Sequence, residues 1–281
     1  MVTATDKFMP FLEAKGWKYF SIIALVYFGL RVLGMLMGWV SYFAKHCCRS
    51  GMQGKDKMAN LYQLKAGDKG FTVGEKSWAV VTGGSDGIGF AMCQNLAEQG
   101  FNVCIVARNQ DKMNQKLKII EETCKAKDPA FTWECKTIVC DFGKVFTIED
   151  YKTMIADQLA DLDVAVLALN AGFNRNFMFL TIDDSAVQDT VMLNALQPAY
   201  TAKVMGPQLE RRLAEKGRKA ALIFVSSAAG SNPSPGNIIY CASKTFCCFL
   251  GEGLFYEFEG KVDVISYNPA SVDTNMNPAD K

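Results

Sequence analysis

Tyr240 and Lys244 stand four residues apart in the run YCASK at 240–244. On a helix that spacing puts both side chains on one face. An ammonium beside a phenol favours the phenolate and lowers its pKa from about 10. Such a phenol gives a proton to a carbonyl oxygen and takes it back in the reverse direction. Ser227, earlier in the chain, adds a hydroxyl able to orient and polarise that carbonyl. Far upstream lies a second feature, TGGSDGIG at 82–89. Gly83, Gly87 and Gly89 let backbone approach a pyrophosphate, and the free N–H groups of a helix start then face it. Ser85, Asp86 and Ile88 complete the same turn. A dinucleotide cradle and an acid–base pair in one chain imply hydride transfer.

Those residues need a scaffold, and the sequence supplies one. From about Gly74 short apolar runs alternate with helical patterns. WAVVTG at 78–83 reads as a buried strand, and Ile88 to Gln99 as a helix closed by Gly100. NVCIVA at 102–107 is the second strand, followed by an amphipathic helix from Asp111 to Lys125. TWECKTIVC at 132–140, VAVLAL at 164–169, ALIFVSS at 221–227 and VDVISYN at 262–268 give four more strands. Ala186 to about Glu215 reads as one long helix, and Ile239 to Glu259 as another that carries Tyr240 and Lys244. Continuous apolar strands alternating with helices mean a parallel sheet covered on both faces. Right-handed crossovers make it an α/β doubly wound parallel sheet, a Rossmann fold.

The second strand ends at Ala107-Arg108-Asn109. A carboxylate near this point would bind a ribose 2′-hydroxyl and favour NAD. Arg108 stands there instead and favours NADP by pairing with a 2′-phosphate. The alternative is a solvated loop charge. Asp111 is better read as a helix N-terminal acid.

The net charge of +1 comes with no basic run, which argues against nucleic acid as a partner. Ten cysteines accompany a single histidine, His46, and no CxxC occurs. No metal site is therefore expected, and the thiols read as reduced, several of them buried. The 49% hydrophobic content is high for a soluble protein, with the excess near the N-terminus. Residues Tyr19 to Phe43 form a mostly apolar run long enough to cross a ~30 Å hydrocarbon core. Aromatic residues crowd both ends, as they do at membrane interfaces. Arg31 interrupts the run. One expectation is a spanning anchor in which Arg31 meets a partner; the other is a helix lying in the membrane, or a hairpin of 22–30 and 32–40. The chain thus divides into a segment 1–18, an anchor 19–43, a linker 44–73 and a dinucleotide-binding domain 74–281. Cys47 and Cys48 follow the anchor, a position compatible with palmitoylation. The slight excess of Lys and Arg after the run places the domain in the cytosol.

TGGSDGIG, the Asn-Ala-Gly at 170–172, Ser227 and YCASK together resemble the short-chain dehydrogenase/reductase family. Within it the chain is similar to the membrane-anchored branch of very-long-chain 3-oxoacyl-CoA reductases and 17-beta-hydroxysteroid dehydrogenases. The resemblance implies that Asp141 contacts the adenine region of NADP(H) and that Asn170 touches the cofactor. The family usually has a second Asn where Leu169 stands, a departure that loosens the site slightly. It implies that Ser227 rather than Ser226 is active, and that Asn194 in MLNAL holds a water in a proton relay with Lys244. It implies that Val272 and Thr274, after Asn268-Pro269, contact the nicotinamide; the anchored branch often has a residue other than Gly at the place of Ala270.

Family members usually continue beyond the position of Lys281 with a substrate lid, a helix and a seventh strand. Three expectations follow: a traced part of a longer protein, a short product, or a retained fold without activity; the intact tetrad favours the first. The implied function is NADPH-dependent 3-oxoacyl-CoA reduction in fatty-acid elongation, with 17-keto steroid reduction as the same-class rival. A non-catalytic subunit of a membrane complex is the rival from another class. The implied partners are a hydrophobic ketone, membrane lipid and membrane-complex subunits. The implied location is the endoplasmic reticulum membrane, with a mitochondrial membrane as the alternative.

Overall fold

The structure is a computed structural model that describes residues 25–33, 57–63, 65, 68, 69, 76–270 and 272. The chain divides into two units, Met1–Lys55 and Asp56–Lys281. In the first, residues 25–33 are helical with exposed side chains. Arg31 finds a partner inside this stretch: its Nε donates to the Tyr27 hydroxyl at 3.1 Å, one turn back. The rest of the expected anchor 19–43, and most of the linker 44–73, lie outside the described residues.

The second unit is built on six parallel strands: β1 Trp78–Thr82, β2 Asn102–Ala107, β3 Cys135–Val139, β4 Val164–Leu169, β5 Ala220–Val225 and β6 Val262–Tyr267. Their order is β3-β2-β1-β4-β5-β6. β1, β2 and β4 are buried at every residue, which is why they read as unbroken apolar runs. β3 is an edge strand and shorter than the 132–140 expected. Its exposed side chains explain the weak boundary signal.

Alternate residues feed two cores. Trp78 and Val80 of β1 and Leu167 and Leu169 of β4 face one layer. Ala79 and Val81 face the other, with Ala165 and Ala168. The second layer holds α2 Gly87–Glu98 and α3 Gln110–Lys127; α1 Lys57–Tyr62 reaches it through Tyr62. The first layer holds α4 Ile148–Tyr151 and α5 Asp157–Leu159, joined by a π-helical turn, and then α7 Gln197–Lys216 and α8 Ile238–Glu257. Arg212 of α7 and Asp163 at the foot of β4 form a buried pair at 2.6 Å, and the Arg212 guanidinium also reaches the Tyr62 carbonyl at 2.6 Å.

The long helix expected from Ala186 to Glu215 is one continuous run, but it is not uniform. α6 Asp184–Val191 passes through a π-helical turn, Met192–Leu196, into α7. α8 is, among the described residues, the one helix apolar and long enough to cross a membrane. Its residues Cys241, Ser243, Lys244, Cys247 and Gly251 are buried in the domain, so it belongs to the core. The eight described cysteines are free thiols, as expected.

The sheet order reverses between β1 and β4. In open α/β sheets a crevice forms beyond the carboxyl ends of the strands at that point. β1 leads into the glycine turn and β4 leads into Asn170.

Candidate active site

The glycine turn is held from below with no slack. Gly83 and Gly87 have φ of 67° and 46°, a region that favours glycine. A Cβ on Gly89 would lie 2.5 Å from the Gly83 carbonyl oxygen and closer still to Asn170 Nδ2. Asn170 Nδ2 donates to the carbonyls of Thr82 and Gly83 at 3.0 and 3.3 Å. Thr82 Oγ1 accepts from the backbone N–H of Asn170 and Ala171 at 2.9 and 3.0 Å. Thr82 thus ties the ends of β1 and β4 together, a role sequence reasoning missed. A buried polar residue in an apolar strand was the available signal. Asp86 caps α2, accepting from Gly87 N at 2.8 Å, and pairs with Lys112 at 2.6 Å.

Above this floor opens a cleft of about 820 Å³. Gly83, Ser85, Asp86, Gly87 and Ile88 line one end, with Arg108 and Asp141 at the ends of β2 and β3. Arg108 is exposed there. Asp111 sits in the first turn of α3, as expected. Asn170, Ser227, Tyr240, Lys244 and Val272 line the remainder. Gly89 and Asn194 lie behind the surface rather than on it. Thr274 lies outside the described residues. The volume suits a dinucleotide and its reaction partner, and the glycine turn leaves backbone open where a side chain would block it. The residues present therefore fit a nicotinamide dinucleotide.

Ser227 follows β5 and caps a 3-10 turn, accepting from Ala229 N at 3.2 Å. Ser226 is buried and donates to the Lys244 carbonyl at 2.6 Å, so its hydroxyl is committed to structure. Lys244 is 5% exposed, and its Nζ donates to the Val225 carbonyl at 2.9 Å. Burial pushes the Lys244 ammonium pKa down.

The expectation of a lowered Tyr240 pKa is corrected here. Burial raises it first; the Ser227 hydroxyl pulls it down and the nearby Cys241 and Cys247 thiols push it up. The ammonium is directed at Val225 and lies 5.8 Å from the centroid of the phenol ring. In this arrangement Tyr240 is the stronger holder of its proton, a group that waits to donate.

Asn194 sits in the middle of the π-helical turn and is 1% exposed. Its Oδ1 accepts from Phe173 N, and its Nδ2 donates to the Phe173 carbonyl, both at 2.8 Å. Nδ2 also reaches Ser243 Oγ at 3.0 Å. The side chain is thus occupied in pinning Phe173 in the wall of the cleft. Pro198 lacks the N–H that would bond the carbonyl of Asn194 four residues back. That proline was legible in MLNALQP and marks the irregularity. Gly172 separates Asn194 from Lys244: a Cβ there would lie 3.1 Å from Asn194 Oδ1 and 3.4 Å from Lys244 Nζ.

The short chain dehydrogenase family model matches residues 77–281. The chain belongs to that family. Among curated relatives, a very-long-chain 3-oxoacyl-CoA reductase of Bos taurus is 34% identical over 204 residues, covering 71% of this chain and 60% of the relative. One of Anas platyrhynchos is 30% identical over 252 residues, covering 88% of this chain and 76% of the relative. The chain thus spans about 60% of the length of the first relatives it matches. Among solved structures, the bulky-bulky ketone specific alcohol dehydrogenase from Comamonas testosteroni superposes with a TM-score of 0.60 at 25% identity, covering 70% of this chain and 73% of the other. A short-chain dehydrogenase from Sphingobium yanoikuyae, in complex with NADPH, shares the fold with a TM-score of 0.62 at 20% identity, covering 71% and 73%.

Proposed function

We propose that the protein is a membrane-attached reductase of a hydrophobic ketone, using a nicotinamide cofactor with NADPH preferred. The observation that carries this reading is that Ser227, Tyr240 and Lys244 open on the cleft that the glycine turn floors. The bound cofactor would supply a hydride to the carbonyl carbon. Tyr240 donates the proton that the carbonyl oxygen takes up, and its burial keeps that proton in place until then. Ser227 holds the carbonyl oxygen beside the phenol. Lys244 places a cation near the developing phenolate, and Asn194 holds the water that refills the proton. Asp141, Asn170 and Val272 lie along the cofactor, and Thr274 joins them from the segment after β6. Arg108 meets the 2′-phosphate.

The substrate class we assign is a 3-oxoacyl-CoA, reduced to the 3-hydroxyacyl-CoA. Support comes from the relatives, which carry that activity in their names. Residues 19–43 serve as the anchor and 74–281 as the reductase domain, with lipid as a further partner and the endoplasmic reticulum as the membrane. The test is NADPH oxidation by the full-length protein with a long-chain 3-oxoacyl-CoA and with a 17-keto steroid. Turnover of the thioester supports the reading. No turnover of either ketone by NADPH-bound protein would sink it.

A further inference from the structure

A second cavity of about 510 Å³ opens beside the cleft, between the segment after β4 and the segment before α8. The two cavities share Asn176 and Asn237. Among the described residues, no member of the glycine turn lines the second one. It is an annex joined to the cleft at those two residues, away from the dinucleotide cradle. Phe177 and Met178 form its apolar side and are 48% and 62% exposed. Arg175 steadies that side: it lies 5.7 Å from the Phe177 ring and pairs with Asp183 at 3.2 Å.

Asn237 stands where the annex meets the cleft. Its Oδ1 is buried and, among the described residues, meets no donor. The side chain does not cap α8, although the residue occupies the capping position. Asn174, on the β4 side of the cleft, carries a second buried Oδ1 with no donor. A buried acceptor without a partner is costly and uncommon, so each requires an explanation. Asn237 precedes Tyr240 by three residues, roughly 4.5 Å along a helix axis. Asn237 and Tyr240 thus stand within one turn of each other at the start of α8, and both line the cleft.

The two ketone classes differ at this point. A 17-keto steroid is hydrocarbon around its carbonyl and has no N–H. A 3-oxoacyl-CoA carries a pantetheine arm whose first amide N–H lies a few bonds from the keto carbon. Resting on the reductase reading above, we propose that Asn237 Oδ1 accepts that amide N–H, while Phe177 and Met178 flank the methylenes of the arm. The annex makes the site one for acyl thioesters rather than for steroids.

The experiment uses the full-length protein in detergent and a matched ligand pair. One member is a 3-oxoacyl N-acetylcysteamine thioester; the other replaces its amide N–H by an ester oxygen. Kd is read by calorimetry in the presence of NADP and kcat/KM by NADPH oxidation. The wild type is expected to bind the amide about 3- to 10-fold tighter than the ester. Asn237→Leu brings that ratio to about one, and Asn237→Asp, which keeps an acceptor, restores it. The ratio compares two ligands on one protein, so the wild-type value stands even where Asn237→Leu folds poorly. A wild-type ratio near one overturns the proposal, as does a ratio that survives Asn237→Leu. Loss of NADPH binding in Asn237→Leu equal to the loss of thioester binding also overturns it, by handing the acceptor to the cofactor. A ratio that holds in binding, with neither thioester reduced, supports the Asn237 contact and defeats the reductase reading alone.

Discussion

The floor of the cleft and its catalytic wall face the same space, yet they are built on opposite terms. On the floor the side chains of Thr82 and Asn170 are hydrogen-bonded to the backbone around them. Asn170 and Thr82 satisfy each other's surroundings, and Gly89 has no room for a methyl group. On the wall, among the described residues, Lys244 is buried with a single carbonyl for company, Tyr240 is held protonated by burial, and Asn237 keeps an acceptor with no donor. The floor is finished when the chain folds; the wall is finished only by its ligands. Changes in the floor should therefore harm stability and cofactor binding together. Changes in the wall should harm chemistry while sparing or improving stability, the trade-off expected of functional sites.

The largest effect should come from the wall. Tyr240→Phe removes the donated proton and leaves the ring, so ketone reduction falls 10²–10⁴-fold, about 3–5 kcal/mol of barrier. NADPH affinity and the urea midpoint should stay close to wild type. Steady-state kinetics with a 3-oxoacyl-CoA, alongside a denaturation curve, checks both halves. A Tyr240→Phe variant that reduces ketones at the wild-type rate ends the proposed chemistry. Next in size is a change at the exposed mouth, where neither rule is strict. Arg108→Asp exchanges a 2′-phosphate partner for a repelling charge. Charge-assisted contacts are worth about 1.5–3 kcal/mol, so the NADPH:NADH preference should drop roughly 10- to 150-fold. Calorimetry with both cofactors reads this, and an unchanged ratio removes Arg108 from the assignment.

How far the sequence reveals these regions follows the same division. The floor was legible because its demands are backbone demands, and only glycine meets them. TGGSDGIG therefore announced the turn, and all-buried β1, β2 and β4 announced the sheet. Tyr240 and Lys244 were legible as a helical spacing. Their electrostatics were not, because the direction of the ammonium toward Val225 depends on where β5 ends beside α8. The long helix was visible as a pattern, but its π-helical turn was not inferred, although Pro198 was in view. β3 was overextended because an edge strand with exposed side chains has no sharp apolar boundary. Asn174 and Asn237 gave no signal at all: an asparagine in a loop is ordinary until burial strips it of water.

The floor offers its own test, with a smaller effect. In Gly89→Ala the added methyl meets the Gly83 carbonyl, which is backbone and cannot turn aside. Overpacking of this kind costs about 1–3 kcal/mol. The urea midpoint and NADPH affinity should fall together. Gly253 on α8 has open space around its Cβ position, and Gly253→Ala should leave both intact or raise stability slightly. A Gly89→Ala variant as stable as Gly253→Ala would show that the floor has slack after all.

The smallest expected effect is also the sharpest discriminator, because its sign differs between the two regions. Lys244 carries its charge into the core with no carboxylate paired to it among the described residues, and its pKa is lowered by burial. An unfolded lysine holds its proton up to about pH 10.4. Between the lowered folded value and that unfolded value, the unfolded chain binds more protons than the native one. Stability from this group therefore rises with pH through that window, and the penalty is fully present below it. Lys244→Met removes the penalty and keeps the stem's packing, but it leaves the Val225 carbonyl without the ammonium bond seen at 2.9 Å. Replacing a buried charge by an apolar group of similar volume stabilises by more than one such hydrogen bond contributes. The variant should accordingly gain on the order of 1 kcal/mol at neutral pH while losing ketone reduction. Urea unfolding of both proteins from pH 7 toward pH 10 measures it. The variant's advantage should be greatest at pH 7 and should shrink as pH climbs into the window. A variant that is less stable at pH 7, or whose difference from wild type is flat with pH, would place Lys244 among the satisfied groups of the floor and dissolve the contrast between the two regions.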